Sequence, residues 1–401
     1  SELPIAEILG PEQGGFRSLF AAARREAAAR LLSRHETQVT RTGTAARAVS
    51  RAMLVGRFGR SALAFVPAAE MVDSVPSLRR LLGQPLHRQG AVGIVIEDDP
   101  ALSPGVCPRV LSRQLDLTAI EPVGVGQLPD ALEAGLRLSR ASHRPVVLVI
   151  HHSIVNSMET IRAQPNRVME SVDAMLARRR TRRPPKLPES GGLLRLIRRL
   201  EFNTATSLPS PGERVPIGFV TVGAADLALR HVTRELGLTG RVPVVQLGAL
   251  HPLDETLVER LLERCEQVIV LEPRPGSVES LVLSIAERLR DQGRRTARLW
   301  GRFLPPTEDG VVPRLNVDDA VHPSLLARRV SRLLHLSRPR AQISQRLHPD
   351  PPAARIPVPP RHQRFGPEAA AEWLRRIAAD VDQWLREREA TEEEEEAFES
   401  I

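Results

Sequence analysis

The sequence contains no tyrosine, and its aromatic residues amount to only 3% of 401. Aromatic platforms on which single-stranded bases stack are therefore scarce. The two cysteines, Cys107 and Cys265, lie far apart, make no CxxC pair and have no histidine at metal-ligand spacing. That pattern excludes an iron–sulfur cluster or a structural zinc built on this chain, so neither a metal nor a cluster is expected here. No apolar run approaches the roughly 20 residues of a membrane helix. The opening SELPIAEILGPEQGG also lacks the basic-then-apolar layout of a signal peptide. The expectation is a cytoplasmic protein with no membrane partner.

What is abundant is arginine. The net charge of +8 comes from clusters such as ARRRTRRPPK at 177–186 and LSRPRAQISQRLH at 336–348. A basic balance suits nucleic acid, yet no helix-turn-helix, zinc-finger or RNP-type signature occurs, and nucleic acid ranks last among the expected partners. With 42% hydrophobic residues, a chain of this length accommodates two domains and a tail.

Strand and helix patterns alternate along the chain. Residues 16–34 are rich in Ala, Leu and Arg and read as a helix. Segments 38–43, 61–67, 91–96 and 144–152 read as strands, with helices over 45–59 and 128–140, and this alternation predicts a parallel sheet. From 177 to 214 the pattern breaks into Arg, Pro, Ser and Gly, with one basic amphipathic piece, LLRLIRRLEF. A second alternating block follows, with strands at 216–223, 242–248, 267–272 and 297–301 and helices between them. The expected division is 1–175, a basic Pro-rich linker at 176–214, a second α/β domain at 215–336, a Pro/Arg-rich tether at 337–366, and an amphipathic helix with an acidic tail at 367–401. The helix sets Trp373, Leu374, Ile377, Val381, Trp384 and Leu385 on one face, to fold back or to dock on a partner.

Within the first block, AVGIVIEDDPALS at 91–103 places Glu97, Asp98 and Asp99 directly after a buried strand, with Pro100 ending the ladder. Ligands are met at the carboxyl ends of strands in open α/β sheets, so these acids are either a site or a solvated turn and helix cap. His151 and His152 end another strand, where neighbouring side chains point to opposite faces and act independently. Gly223 occupies a strand-to-helix turn suited to an anion. Asp254 and Glu255 read as first-turn helix acids, and Cys107 as an inert thiol between prolines.

GIVIEDDPALS, followed by AIEPVGVGQLPDALEAGLRLSRASHRPVVLVI and VNS, resembles the N-terminal region of the α subunit of indolepyruvate ferredoxin oxidoreductase. The second block, with IGFVTVG, VVQLGALHPLDETLVERLLERCEQVIVLEP and LWGRFLPPTEDG, resembles the transketolase C-terminal-like domain of the same subunit, and the match spans roughly 38–335. The resemblance implies a thiamine-diphosphate pyrimidine-type domain followed by that second domain. It also implies a 2-oxoacid decarboxylation that passes electrons to ferredoxin.

The departures are specific. Aligning VTRTGTAARAV with the family's strand puts Ala45 where the family has the glutamate that hydrogen-bonds the aminopyrimidine ring, and no acid occurs between Thr37 and Pro67. A methyl group cannot exchange that proton. The sequence has no Gly-Asp dipeptide, so the diphosphate half with its Mg²⁺ turn is missing, and EDGVVPRLN at 308–316 is too short and in the wrong domain to replace it. The family's Cys-rich segments are also missing.

Three readings follow. In the first, the chain is a divergent subunit of a 2-oxoacid:ferredoxin-oxidoreductase-like complex. It then has no catalytic residue of its own, and thiamine diphosphate binds only at an interface with another chain. Asp98, Asp99 and Ser103 are the cofactor-binding candidates on this side. Its partners are the subunits that carry the diphosphate domain and the iron–sulfur clusters, and a homo-oligomer is a further option. In the second, it is a non-catalytic structural or regulatory interaction protein. In the third, it is a basic nucleic-acid-binding protein.

Overall fold

The computed structural model describes residues 5–11, 37–155 apart from 101 and 104, 190–304 apart from 275, and individual positions between 321 and 334. The expected helices at 16–34 and 367–401, the tether and the acidic tail lie outside the described residues. Both α/β blocks fall in one compact unit, Ser1–His348.

The first sheet is built from β1 (Ile5–Pro11), β2 (Gln38–Thr42), β3 (Ser61–Pro67), β4 (Ala91–Asp98), β5 (Thr118–Ile120), β6 (Val146–His151) and β10 (Ala249–His251), in the order β10-β5-β6-β4-β3-β1-β2. All pairings are parallel except β10 with β5. Central β4 is buried along almost its whole length, as its unbroken Val/Ile run demands.

Helix α1 (Ala45–Arg57) starts at Thr44, whose hydroxyl accepts the Arg47 N–H at 3.2 Å. Ala45, Ala48, Val49, Ala52, Met53 and Gly56 recur at helical spacing, forming a face small enough to lie close on the sheet. α2 (Ala68–Leu82) packs beside it. α3 (Pro108–Gln114), α4 (Leu128–Ser142) and the short α5 (His152–Val155) complete the described helices of this block.

The stretch expected to be a linker is structured from Ser190 onward. Helix α6 (Ser190–Arg199) inserts Ile197 among Ile120, Leu148 and Ile154 of the first block, with Leu193, Leu196 and Leu200 packed alongside. β7 (Asn203–Thr206) then joins the second sheet, whose order is β12-β11-β8-β9-β7. The other strands of that sheet are β8 (Val215–Val222), β9 (Val244–Leu247), β11 (Cys265–Leu271) and β12 (Arg298–Trp300), parallel throughout, while β7 runs antiparallel to β9. α7 (Ala224–Glu235), α8 (Glu255–Arg264) and α9 (Ser277–Asp291) cover it. The fold class is therefore two parallel-dominated α/β sheets, as expected.

The chain changes sheets at Gly248. β9 ends in the second sheet and β10, one residue later, pairs with β5 of the first. Asn203 Oδ1 accepts both Gly248 N–H (3.0 Å) and Ala249 N–H (2.8 Å), and Glu121 N–H donates to Gly248 O at 2.7 Å. A side chain at 248 would overlap the Phe202 carbonyl, which fixes glycine there.

At the far end of β10, His251 Nε2 meets Asp116 Oδ1 at 3.0 Å, and Arg144 donates to Asp116 Oδ2 at 2.7 Å. The His251 hydrogen bond, with Arg144 adding to it, holds the Asp116 carboxyl below its usual range against a smaller upward effect of burial. Because the folded value lies below the unfolded one of about 3.9, the stabilisation is complete above that pH and disappears as pH falls through the folded value. Asp116 is 73% exposed, so solvent screens the effect. Asp116→Asn is expected to lower the melting temperature slightly at pH 7 and not at all near pH 2, a convergence that melting curves across pH would reveal; parallel curves would refute it.

Candidate functional site

Asp98, the last residue of β4, sits at the carboxyl edge of the first sheet beside His151 of β6 and is fully buried. Its Oδ2 accepts from Arg109 Nη1 at 2.9 Å, and its Oδ1 lies 3.5 Å from Arg274 Nε. Arg109, the second residue of α3, also forms a two-point fork to Glu121, just past β5, through Nε and Nη2 at 2.7 Å each. Arg274 comes from the second block, after β11. It donates to Ser103 O at 2.9 Å, to Ser103 Oγ at 3.2 Å and to the Val106 carbonyl. Ser103 Oγ in turn donates to Asp99 O at 2.6 Å.

Burial is the largest single influence on Arg109 and would lower its pKa, but Glu121 and Asp98 together raise it well above its ordinary value. Burial also pushes the Glu121 carboxyl up, while Arg109 pulls it down. The two influences conflict for one contact, and geometry decides. A fork with both carboxylate oxygens accepting N–H at 2.7 Å requires the carboxylate form, so the pair is ionised.

Three helix starts at these sheet edges already face carboxylates of the same chain. Glu272 accepts the N–H groups of Gly276 (2.7 Å), Val278 (2.8 Å) and Glu279 (3.1 Å) and the Ser277 hydroxyl (2.6 Å), closing the start of α9. Glu70 of α2 accepts the Ala45 N–H at 3.2 Å, at the start of α1. The Gly223 turn before α7 lies against Glu121, so closely that a Cβ at 223 would overlap its carboxylate. Beside Arg109, the space bounded by Leu250, Ser277 and Leu281 measures about 10 Å³, room for one water at most.

Of the three cofactor-binding candidates, Asp98 and Ser103 are brought together by Arg274 and are buried; Asp99 is half-buried and contributes its carbonyl to the same loop. Ala45, aligned with the family's glutamate, is buried at the start of α1. The two histidines differ from expectation. His152 leaves the strand to begin α5, so the ring centroids lie 4.2 Å apart with the planes tilted by 50° instead of facing opposite sides, and His151 Nδ1 lies 2.8 Å from Ser153 Oγ.

Asp254 sits at the cap of α8 but makes no side-chain capping bond; Arg198 of α6 forks onto it at 2.7 and 2.8 Å. Cys107 is half-buried, and Cys265 is buried, its thiol pushed up to about 12 by burial. Sequence reasoning singled out neither Arg109, Glu121 nor Arg274. The Glu-Pro at 121–122 is the signal in the sequence that marks this position.

Among the described residues, no cluster of three or more His, Cys, Asp or Glu is arranged to hold a metal ion, and no helix is long and apolar enough to cross a membrane. No family model matches the sequence, and no curated protein matches it. Among solved structures, the chain is similar to a 2-oxoglutarate:ferredoxin oxidoreductase from Magnetococcus marinus with 2-oxoglutarate, coenzyme A and succinyl-CoA bound. That likeness has a TM-score of 0.51 at 10% identity and covers 82% of this chain and 62% of that one. A split gene transketolase, described as an inactive β4 tetramer, aligns with a TM-score of 0.49 at 14% identity, over 83% of this chain and 93% of that one. At these identities the likeness to the oxidoreductase is one of fold, and this chain spans less than two thirds of that neighbour's length.

Proposed function

We propose that this chain is a scaffold subunit of a 2-oxoacid:ferredoxin-oxidoreductase-like complex, a divergent counterpart of the indolepyruvate α subunit, in which other chains supply the diphosphate domain and the iron–sulfur clusters. The observation that carries this reading is the buried Asp98–Arg109–Glu121–Arg274 cluster, which fills the carboxyl edge of the first sheet with the protein's own charges. An anionic ligand placed there would have to displace carboxylates already held by arginine. The fold likeness to an oxidoreductase of this class supports the choice of complex.

In this reading the residues present do not fit thiamine diphosphate on this chain alone. Ala45 offers a methyl, the first N–H of α1 already faces Glu70, and the start of α9 is closed by Glu272. Asp98 and Ser103 serve the junction between the two blocks. Asp99 is the least buried of the three candidates.

Isothermal titration of the full chain with thiamine diphosphate and Mg²⁺ tests the proposal. No saturable heat is expected, and stoichiometric binding to the chain by itself would overturn it. Native mass spectrometry of the complex from its own cells should then show a second chain with a diphosphate domain; arrival alone or with unrelated proteins would favour the interaction-protein reading instead.

A further inference from the structure

We propose that the solvent face of α1 is a docking surface for a protein partner whose contact face is acidic around an apolar centre. Arg47, Arg51, Leu54 and Phe58 follow at three- and four-residue spacing, so they lie on one stripe of the helix. The small residues from Ala45 to Gly56 that face the sheet occupy the other side. Leu54 is 50% exposed and Phe58 58%. A single exposed leucine needs no explanation, but two large apolar side chains one turn apart form the kind of centre around which interfaces are built. Phe58 and Arg60 also line a cleft of about 330 Å³ that runs past Glu7 to Gln38 on the edge strand β2.

Charge selects the partner. Arg47, Arg51 and Arg60 are exposed around this centre. Glu7, the one carboxylate among the described residues that line the cleft, is buried and held by Arg51 at 2.6 Å and by the Thr40 hydroxyl at 2.6 Å. The outward field is therefore positive, and guanidinium forks match carboxylates in geometry as well as sign. A nucleic-acid backbone would satisfy the arginines too, but it offers no apolar counterpart to Leu54 and Phe58. An acidic amphipathic protein segment satisfies both. This surface lies outside the buried ion cluster, and the inference stands whether or not the scaffold reading does.

The test uses the full chain and a dye-labelled peptide of about 18 residues, long enough to be helical, with Leu along one face and Glu on the others. Its controls are the Lys-for-Glu peptide and a DNA duplex of about 20 base pairs, whose binding would be read by its salt dependence. Saturable, salt-sensitive binding of the acidic peptide is expected. It should weaken about tenfold or more in Leu54→Ser/Phe58→Ser and in Arg47→Glu/Arg60→Glu, the size expected for loss of an interface centre. Leu283→Ser, at an exposed leucine of α9, should leave it unchanged, with circular dichroism confirming that each variant is folded. No binding at low salt, binding indifferent to the Leu54/Phe58 change, or DNA bound more tightly than the peptide would each overturn the proposal.

Discussion

Arg109→Met is expected to lower the stability of the 1–348 unit by about 3–5 kcal/mol, the cost of leaving a buried ion pair half-broken. Among the described residues Arg109 is the one cation that bridges Asp98 and Glu121, and its removal leaves the fully buried Glu121 carboxylate without its guanidinium partner and facing the like charges of Asp98 and Glu272. Asp98 retains Arg274 at 3.5 Å, so Glu121 carries most of the loss. Arg109→Met combined with Glu121→Leu should recover much of the stability, because removing both charges also removes their desolvation. Urea unfolding at neutral pH reads both variants. A single variant as stable as the parent would mean that the cluster is not buried and charged as described.

The second large effect is expected at Gly223. Its φ of 49° and ψ of −137° lie outside the conformations that residues with a Cβ readily adopt, and a Cβ there would overlap Glu121. Glu121 cannot retreat, since Arg109 holds both its oxygens. Backbone strain and steric overlap together put Gly223→Ala at on the order of 2–4 kcal/mol. The two sources separate in a double-mutant cycle. In a Glu121→Ala background the overlap is gone and only the backbone term remains, so the glycine substitution should cost measurably less. Equal costs in both backgrounds would place Glu121 away from the Gly223 turn.

The elements that the sequence read well were those with unbroken local patterns. The Val/Ile run of β4, the helix from Ala45 with its small-residue face, and the alternating block after 215 all appear where periodicity and turn residues set them. α2 has no reading from the sequence alone: Pro76 stands inside it, and the packing of Ala68, Met71, Ser74 and Leu78 holds the helix across that position. The stretch at 177–214 reads as a linker because Arg, Pro, Ser and Gly break the strand–helix alternation there, around the amphipathic piece LLRLIRRLEF. The apolar side of that piece forms a packed helix once α4 and the first sheet provide a surface for Ile197, Leu193, Leu196 and Leu200.

The candidate site divides in the same way. The sequence by itself determined that a strand ends in acids at Asp98, that Ala45 brings no carboxylate to the start of α1, and that the chain carries no cysteine arrangement for a cluster, because each of these is a matter of local composition and order. Only the tertiary structure decided what the acids do. Arg109 lies 11 residues from Asp98 and 12 from Glu121 on a different element, and the guanidinium of Arg274 reaches Ser103 across 171 residues of sequence. Long-range pairing of buried charges leaves no period or spacing in the sequence, since either partner alone reads as an ordinary surface residue. It becomes visible once the fold excludes water from both.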